Sequence, residues 1–177
     1  MTKEQECCAN ILCGHLKWME TNLRQLTPEH WDWAPAPAAP TARILAKHAW
    51  QWLICDRQHI NEPDITKHVN IPEAPTDPIL MCDALAEETE NWRKLITEFP
   101  EERWEEPRKQ FGNYEMTVRK FVYHMIQNTI YKNGQFSTLY YALGYDGTEP
   151  YSAPFPNPIY EEVKMQLAEA KGNGEDG

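Results

Sequence analysis

RKFVYHMIQNTIYKNGQFSTLYYALG, residues 119–144, decides the fold. Apolar residues recur along it at three and four residue steps, the period of a helix with one buried face. Thr117 stands just before it as a capping residue, and Gly144 supplies the stop. The spacing predicts one long helix from about 117 to 143. His124, Asn128 and Lys132 lie four residues apart and share one face of it. Gly134 sits in mid-helix, where glycine costs about 1 kcal/mol against alanine. The expected return is close approach of a neighbouring backbone. Gln135 follows, placed to hydrogen-bond a loop.

Working outward, three more amphipathic segments appear. Residues 4–26 carry Cys8, Leu12, His15, Met19, Leu23 and Leu26 on one stripe. Thr27 and Pro28 read as the start of a short turn, and the proline-rich run 34–40 as an extended loop. Thr41 caps a second helix, 42–60, whose stripe is Leu45, His48, Trp52, Cys55 and His59. A third helix begins near Asp77 with Pro78 in its first turn and ends at Pro100. Between them, NEPDITKHVNIPEAPTD (61–77) has no periodicity and is long for a tight turn. It suits a connection that runs the length of a bundle. Residues 101–115 predict a turn with a short hairpin or strand pair, and 158–171 a final short helix.

The fold class is therefore all-α: a four-helix bundle with a long crossover between the second and third helices, plus a short C-terminal helix. Residues 1–171 are expected to form a single helical bundle domain and 172–177 a disordered tail.

Composition narrows the function. Seventeen basic against 27 acidic residues give a net charge of -10. No concentrated basic surface is available for nucleic acid or an anionic membrane, so neither is expected as a partner. No apolar run approaches the roughly 18 residues of a membrane span. The start lacks a signal-peptide core, and five cysteines without a CxxC point to reduced thiols in a cytoplasmic protein. Seven tryptophans imply a thick aromatic core, or rings lining a pocket or interface.

The chain resembles the DinB-like (DinB/YfiT) superfamily of helical bundles. LTPEHWDWAPAP (26–37) looks like the family's loop after the first helix, and ILAKHAWQW (44–52) like the opening of its second. HMIQNTIYKNGQFSTLYYALG (124–144) is similar to its histidine-rich helix leading to Gly-Gln and ending at Leu-Gly. The resemblance implies one divalent metal held by three histidines, one in the second helix and two a turn apart in the fourth. It also implies thiol transferase or isomerase activity with low-molecular-weight bacterial thiols in some members, and frequent homodimers. Carried over, the ligand positions fall on His48, Asn128 and Lys132, and two family arginines fall on Asn133 and Tyr141.

Only His48 of those three is a good metal donor. An amide oxygen is weak for zinc, and an ammonium holds its proton and repels the ion. Lys132 is expected to set its charge where the metal would be, bonded to an uncharged His48 nitrogen and to the Asn128 carbonyl. The pocket candidates are His15, His48, Trp52, Cys55, His124, Asn128, Lys132 and Gln135. The expectation is a small-molecule-binding or dimeric structural protein without cofactor. The alternative is a metal-dependent thiol transferase or hydrolase-like enzyme with a displaced or non-standard site for Zn or Ni. Expected partners are a small-molecule ligand and a second copy in a homodimer.

Overall fold

The computed structural model describes residues 1–109 and 114–145. The final helix expected at 158–171 and the tail at 172–177 lie outside the described residues.

Four long helices dominate. α1 spans Lys3–Leu23, opened by a reciprocal capping box between Thr2 and Gln5. It stops three residues earlier than the periodicity suggests. Residues 24–26 leave it in a tight turn, with Leu26 N–H donating to the Leu23 carbonyl, yet Leu26 stays buried. The apolar pattern therefore outruns the helix. α2 is one turn, Pro28–Trp31, and the Thr27 side chain makes no capping bond there. α3 spans Ala42–Asn61, capped by Thr41. A single 3-10 turn, Ile65–Lys67, interrupts the crossover. α4 spans Pro78–Glu98, with Asp77 accepting from the Ile79 and Leu80 amides. After a second 3-10 turn at Glu101–Arg103, β1 (Pro107–Lys109) pairs antiparallel with β2 (Glu115–Thr117), Arg108 opposite Met116. α5 spans Val118–Ala142, capped by Thr117 and stopped at Gly144, whose φ of 80° suits glycine.

Long-range bonds fix how the helices run. Gln5 donates to the Phe99 carbonyl at 2.7 Å and Arg24 to Asp83 at 2.6 Å, so α1 and α4 are antiparallel. Asn133 reaches His15, and Tyr140 donates to Gln25 at 2.8 Å, so α1 and α5 are parallel. Arg43, at the start of α3, bonds the Thr76 carbonyl beside the start of α4, whereas Asn61 and Glu98, at the two far ends, line one cavity. α3 and α4 are thus parallel neighbours, and residues 62–77 must return the full length of the bundle. That is the physical reason for the long crossover. α1 and α3 each pack on both α4 and α5.

The core between them is aliphatic and aromatic. Trp18, Trp31, Trp50, Trp92 and Trp104 are buried. Trp92 ties α4 to α3 by donating its ring N–H to the Leu53 carbonyl at 2.9 Å. Most of the tryptophans therefore form core rather than surface. No helix among the described residues is long and apolar enough to cross a membrane.

Candidate functional site

α3 and α5 pack side by side, and each presents a polar row to the other. On α3 the row is His48, Trp52 and Asp56; on α5 it is His124, Asn128 and Lys132. Both rows have the four-residue spacing that keeps side chains on one face. The helices run in opposite senses, so Asp56 meets His124 near one end and His48 approaches Lys132 near the other.

Asp56 is 0% exposed, and its Oδ2 lies 2.6 Å from Nδ1 of His124. Burial pushes the Asp56 carboxyl up, and the bond to His124 only partly counters it. The same bond holds the His124 imidazole above its ordinary value. The two groups together retain a proton more firmly than either would alone. Oδ1 of Asp56 has no hydrogen-bond partner among the described residues. Nothing in the polar pattern of α5 announces this pair. The sequence signal was an aspartate on an otherwise inward-facing stripe, one turn beyond Trp52.

Trp52 bridges the row. Its ring meets His124 edge to face at 5.5 Å between centroids, and its Nε1 donates to Nε2 of His48 at 2.7 Å. An indole nitrogen can only donate. Nε2 of His48 must therefore accept, which leaves the proton of the neutral ring on Nδ1. Burial and then the nearby Lys132 charge push the His48 pKa down, which favours that neutral form.

Lys132 is only 9% exposed, and burial lowers the pKa of its amine. Its Nζ lies 5.4 Å from the centre of the Tyr131 ring. Among the described residues no carboxylate pairs with it. The expected bonds from Lys132 to His48 and Asn128 do not form: Trp52 takes the histidine nitrogen, and the Asn128 amide oxygen is buried without a partner. A buried polar atom left unpaired costs about 1–3 kcal/mol.

The remaining candidates lie apart from this row. His15 is bonded to Asn133, whose Nδ2 sits 3.1 Å from its Nδ1 and 2.9 Å from its carbonyl. Asn133 is on the flank of α5 that faces α1, not α3. Among the described residues Gln135 contacts Tyr131 of its own helix at 3.3 Å, and its Oε1 is buried with no partner there. Cys55 is buried beside Asp56, and burial followed by that carboxylate raises its thiol to about 11. A thiol held protonated is a poor nucleophile. Among the described residues Gly134 meets no atom within 4 Å of where a Cβ would stand, so no described backbone approaches it. The expected close contact is not made by α1, α3 or α4, because Gly134 lies on the exposed side of α5.

Two cavities lie elsewhere. One, about 360 Å³, opens between α3 and α4 near Arg57, Leu95 and Phe99. The other, about 450 Å³, is mainly apolar and sits against Leu23, Leu26, Trp31 and Cys82.

The fit to a metal fails on donor chemistry. His48 has its free lone pair engaged by Trp52, Asn128 offers one amide oxygen, and Lys132 offers a cation. Among the described residues no group of three or more His, Cys, Asp or Glu side chains could hold a metal ion.

Residues 17–136 match the family model of the DinB superfamily. Solved structures share the fold at low identity. A conserved protein from Enterococcus faecalis superposes with a TM-score of 0.64 at 17% identity, over 81% of this chain and 99% of its own. YfiT from Bacillus subtilis, described as a probable metal-dependent hydrolase with an unusual four-helix bundle topology, gives 0.64 at 12% identity, over 82% and 91%. The DinB-like protein YjoA of the same organism gives 0.63 at 15%, over 80% and 94%. No curated protein matches the chain.

Proposed function

The chain belongs to the DinB superfamily, and from that premise we propose that it is a metal-independent member that binds an anionic small molecule between α3 and α5. One observation carries this reading. Among the described residues, Lys132 brings a positive charge without a counter-ion to the face where Asn128 holds a buried, unpaired amide oxygen. A ligand with a carboxylate or similar anion for the ammonium, and a hydrogen-bond donor for the amide, satisfies both. His48 adds a neutral ring whose Nδ1 carries the proton. The Trp52 ring supplies an apolar wall, as small-molecule sites commonly require.

The alternative activity, metal-dependent transfer or hydrolysis of the kind named for YfiT, needs a donor set that His48, Asn128 and Lys132 do not supply. The supported reading therefore carries no metal step.

The test is a thermal-shift screen of the full chain against small carboxylates and phosphates, repeated with Lys132→Met. A ligand that binds the folded state raises the midpoint. The expected result is a stabilising anion whose effect disappears in Lys132→Met. Hits that stabilise both proteins equally would reject the site.

A further inference from the structure

We propose that Lys132 is a nucleophilic amine that captures a small α-keto acid as an imine, a proposal that rests on the anion-binding reading of the α3–α5 row and names the class of its ligand. A lysine only 9% exposed is uncommon, because its charge is left short of water. Such lysines are ordinarily paired with a carboxylate, and among the described residues none pairs with Lys132. Burial without that partner favours the uncharged amine, whose nitrogen lone pair attacks carbonyl carbon. Among the described residues the row also borders solvent, since His48, Trp52 and Asn128 are only half-buried. A small solute can meet the amine there.

The bond balances in atoms and in charge. The lone pair of Nζ adds to the keto carbon, the π pair of the carbonyl goes to its oxygen, and that oxygen takes a proton to give a carbinolamine. The hydroxyl then leaves as water with a second proton, and the C=N bond forms. Counted from the ammonium, two of the three N–H hydrogens end on water and one stays on the iminium. The single positive charge is kept, and neither an oxidant nor a reductant is needed.

The retained charge selects the ligand. An iminium made from a simple aldehyde would be a cation with no counter-ion among the described residues. An α-keto acid carries its own carboxylate on the adjacent carbon, so the captured group is neutral as a whole. The iminium N–H also needs an acceptor. Asn128 supplies one, because its amide oxygen is buried and unpaired among the described residues. It stands one turn before Lys132 on the same face of α5, and long helical side chains lean back over the preceding turn. His48 keeps its proton on Nδ1 because Trp52 engages Nε2, which gives the row a neutral donor for the carboxylate. A carboxylate without a keto group meets the same ammonium and forms no bond.

The test treats the full chain with pyruvate and sodium cyanoborohydride, which reduces an iminium to a stable amine, and locates the resulting carboxyethyl group by peptide mass spectrometry. The label is expected on Lys132 at pyruvate concentrations that leave Lys17 and Lys67 unlabelled, whose side chains are 50% and 65% exposed. Asn128→Ala should take less label. A thermal-shift arm compares pyruvate with lactate, which has a carboxylate and no carbonyl. Pyruvate is expected to raise the wild-type midpoint more than lactate does, and no more than lactate in Lys132→Arg, which keeps the charge and loses the nucleophile. No label, label spread evenly over the exposed lysines, or equal stabilisation of the wild type by pyruvate and lactate overturns the imine. If lactate still stabilises the wild type and loses its effect in Lys132→Met, the anion-binding reading stands without the imine. If neither compound stabilises the wild type and no label forms, both fail. The labelling arm needs no variant, so a Lys132→Arg chain that does not fold leaves the imine open to refutation.

Discussion

Trp52 donates its ring N–H to Nε2 of His48 at 2.7 Å, across one turn of α3. His48, the one good metal donor of the three residues expected at the ligand positions, therefore has its acceptor nitrogen engaged by a tryptophan of its own helix. Restoring Asn128→His and Lys132→His together should nevertheless create a zinc or nickel site if the α3–α5 register is as described. At metal a hundredfold above its dissociation constant, the thermal stabilisation should be about 2.7 kcal/mol. Adding Trp52→Phe should tighten binding further by releasing Nε2. Titration calorimetry of the three proteins measures this, and no gain in the double variant would mean that the two helices are aligned differently.

The Asp56–His124 pair predicts asymmetric losses. His124→Ala leaves a carboxylate buried without its partner, at a cost of about 3–5 kcal/mol. Asp56→Asn leaves an imidazole that can simply lose its proton, so the cost should be about 1 kcal/mol. Urea denaturation of both variants near neutral pH distinguishes them; equal losses would show that the pair is not buried as described.

The same pair sets a pH dependence. His124 is held above its ordinary pKa of about 6.5. Its contribution to stability is complete below that value and is lost as pH rises through the folded pKa. His15, His48 and His59 are pushed below theirs, chiefly by burial, so their contribution is complete above about 6.5 and is lost as pH falls. Asp56→Asn should flatten the fall in stability on the alkaline side, and it should steepen the loss on the acid side, because the carboxylate that supports protonated His59 is gone. Denaturation midpoints across that range, with the His124 ring followed by NMR, check it. An unchanged alkaline limb would contradict the assignment.

The bundle was legible in the sequence because its signals are local. Thr41, Asp77 with Pro78, Thr117 and Gly144 each act within a few residues, and each marks the element boundary it suggested. The crossover was legible from its prolines and length. Leu26 misled the end of α1, since a residue can stay in the core after the helix has stopped. The Asp56–His124 bond was not legible. It depends on how far α3 slides along α5, and no spacing within either helix sets that. Gly134 failed for the same reason: a periodicity reading shows a missing side chain but not which side of the helix faces out.

Lys132→Met should raise the pKa of His48, but only in part. Burial is the larger cause of the depression and the ammonium the smaller. Global stability should change little, because the methionine keeps the buried stem and removes a partly desolvated charge. The His48 titration by NMR reads the effect, and no movement would place the ammonium away from the ring.

Gly134→Ala should stabilise the chain. The helix gains about 1 kcal/mol, since among the described residues nothing lies within 4 Å of the added methyl. Thermal denaturation measures it, and a lower midpoint would contradict the open space on that side of α5.

The central claim is that His48, Asn128 and Lys132 form a metal-free row in a fold whose relatives include a probable metal-dependent hydrolase. Elemental analysis of the full chain, purified without chelator and then equilibrated with zinc and nickel, tests it most directly. The account predicts bound metal far below one equivalent, unaffected by His48→Ala. One equivalent of either metal, lost in His48→Ala, would contradict it.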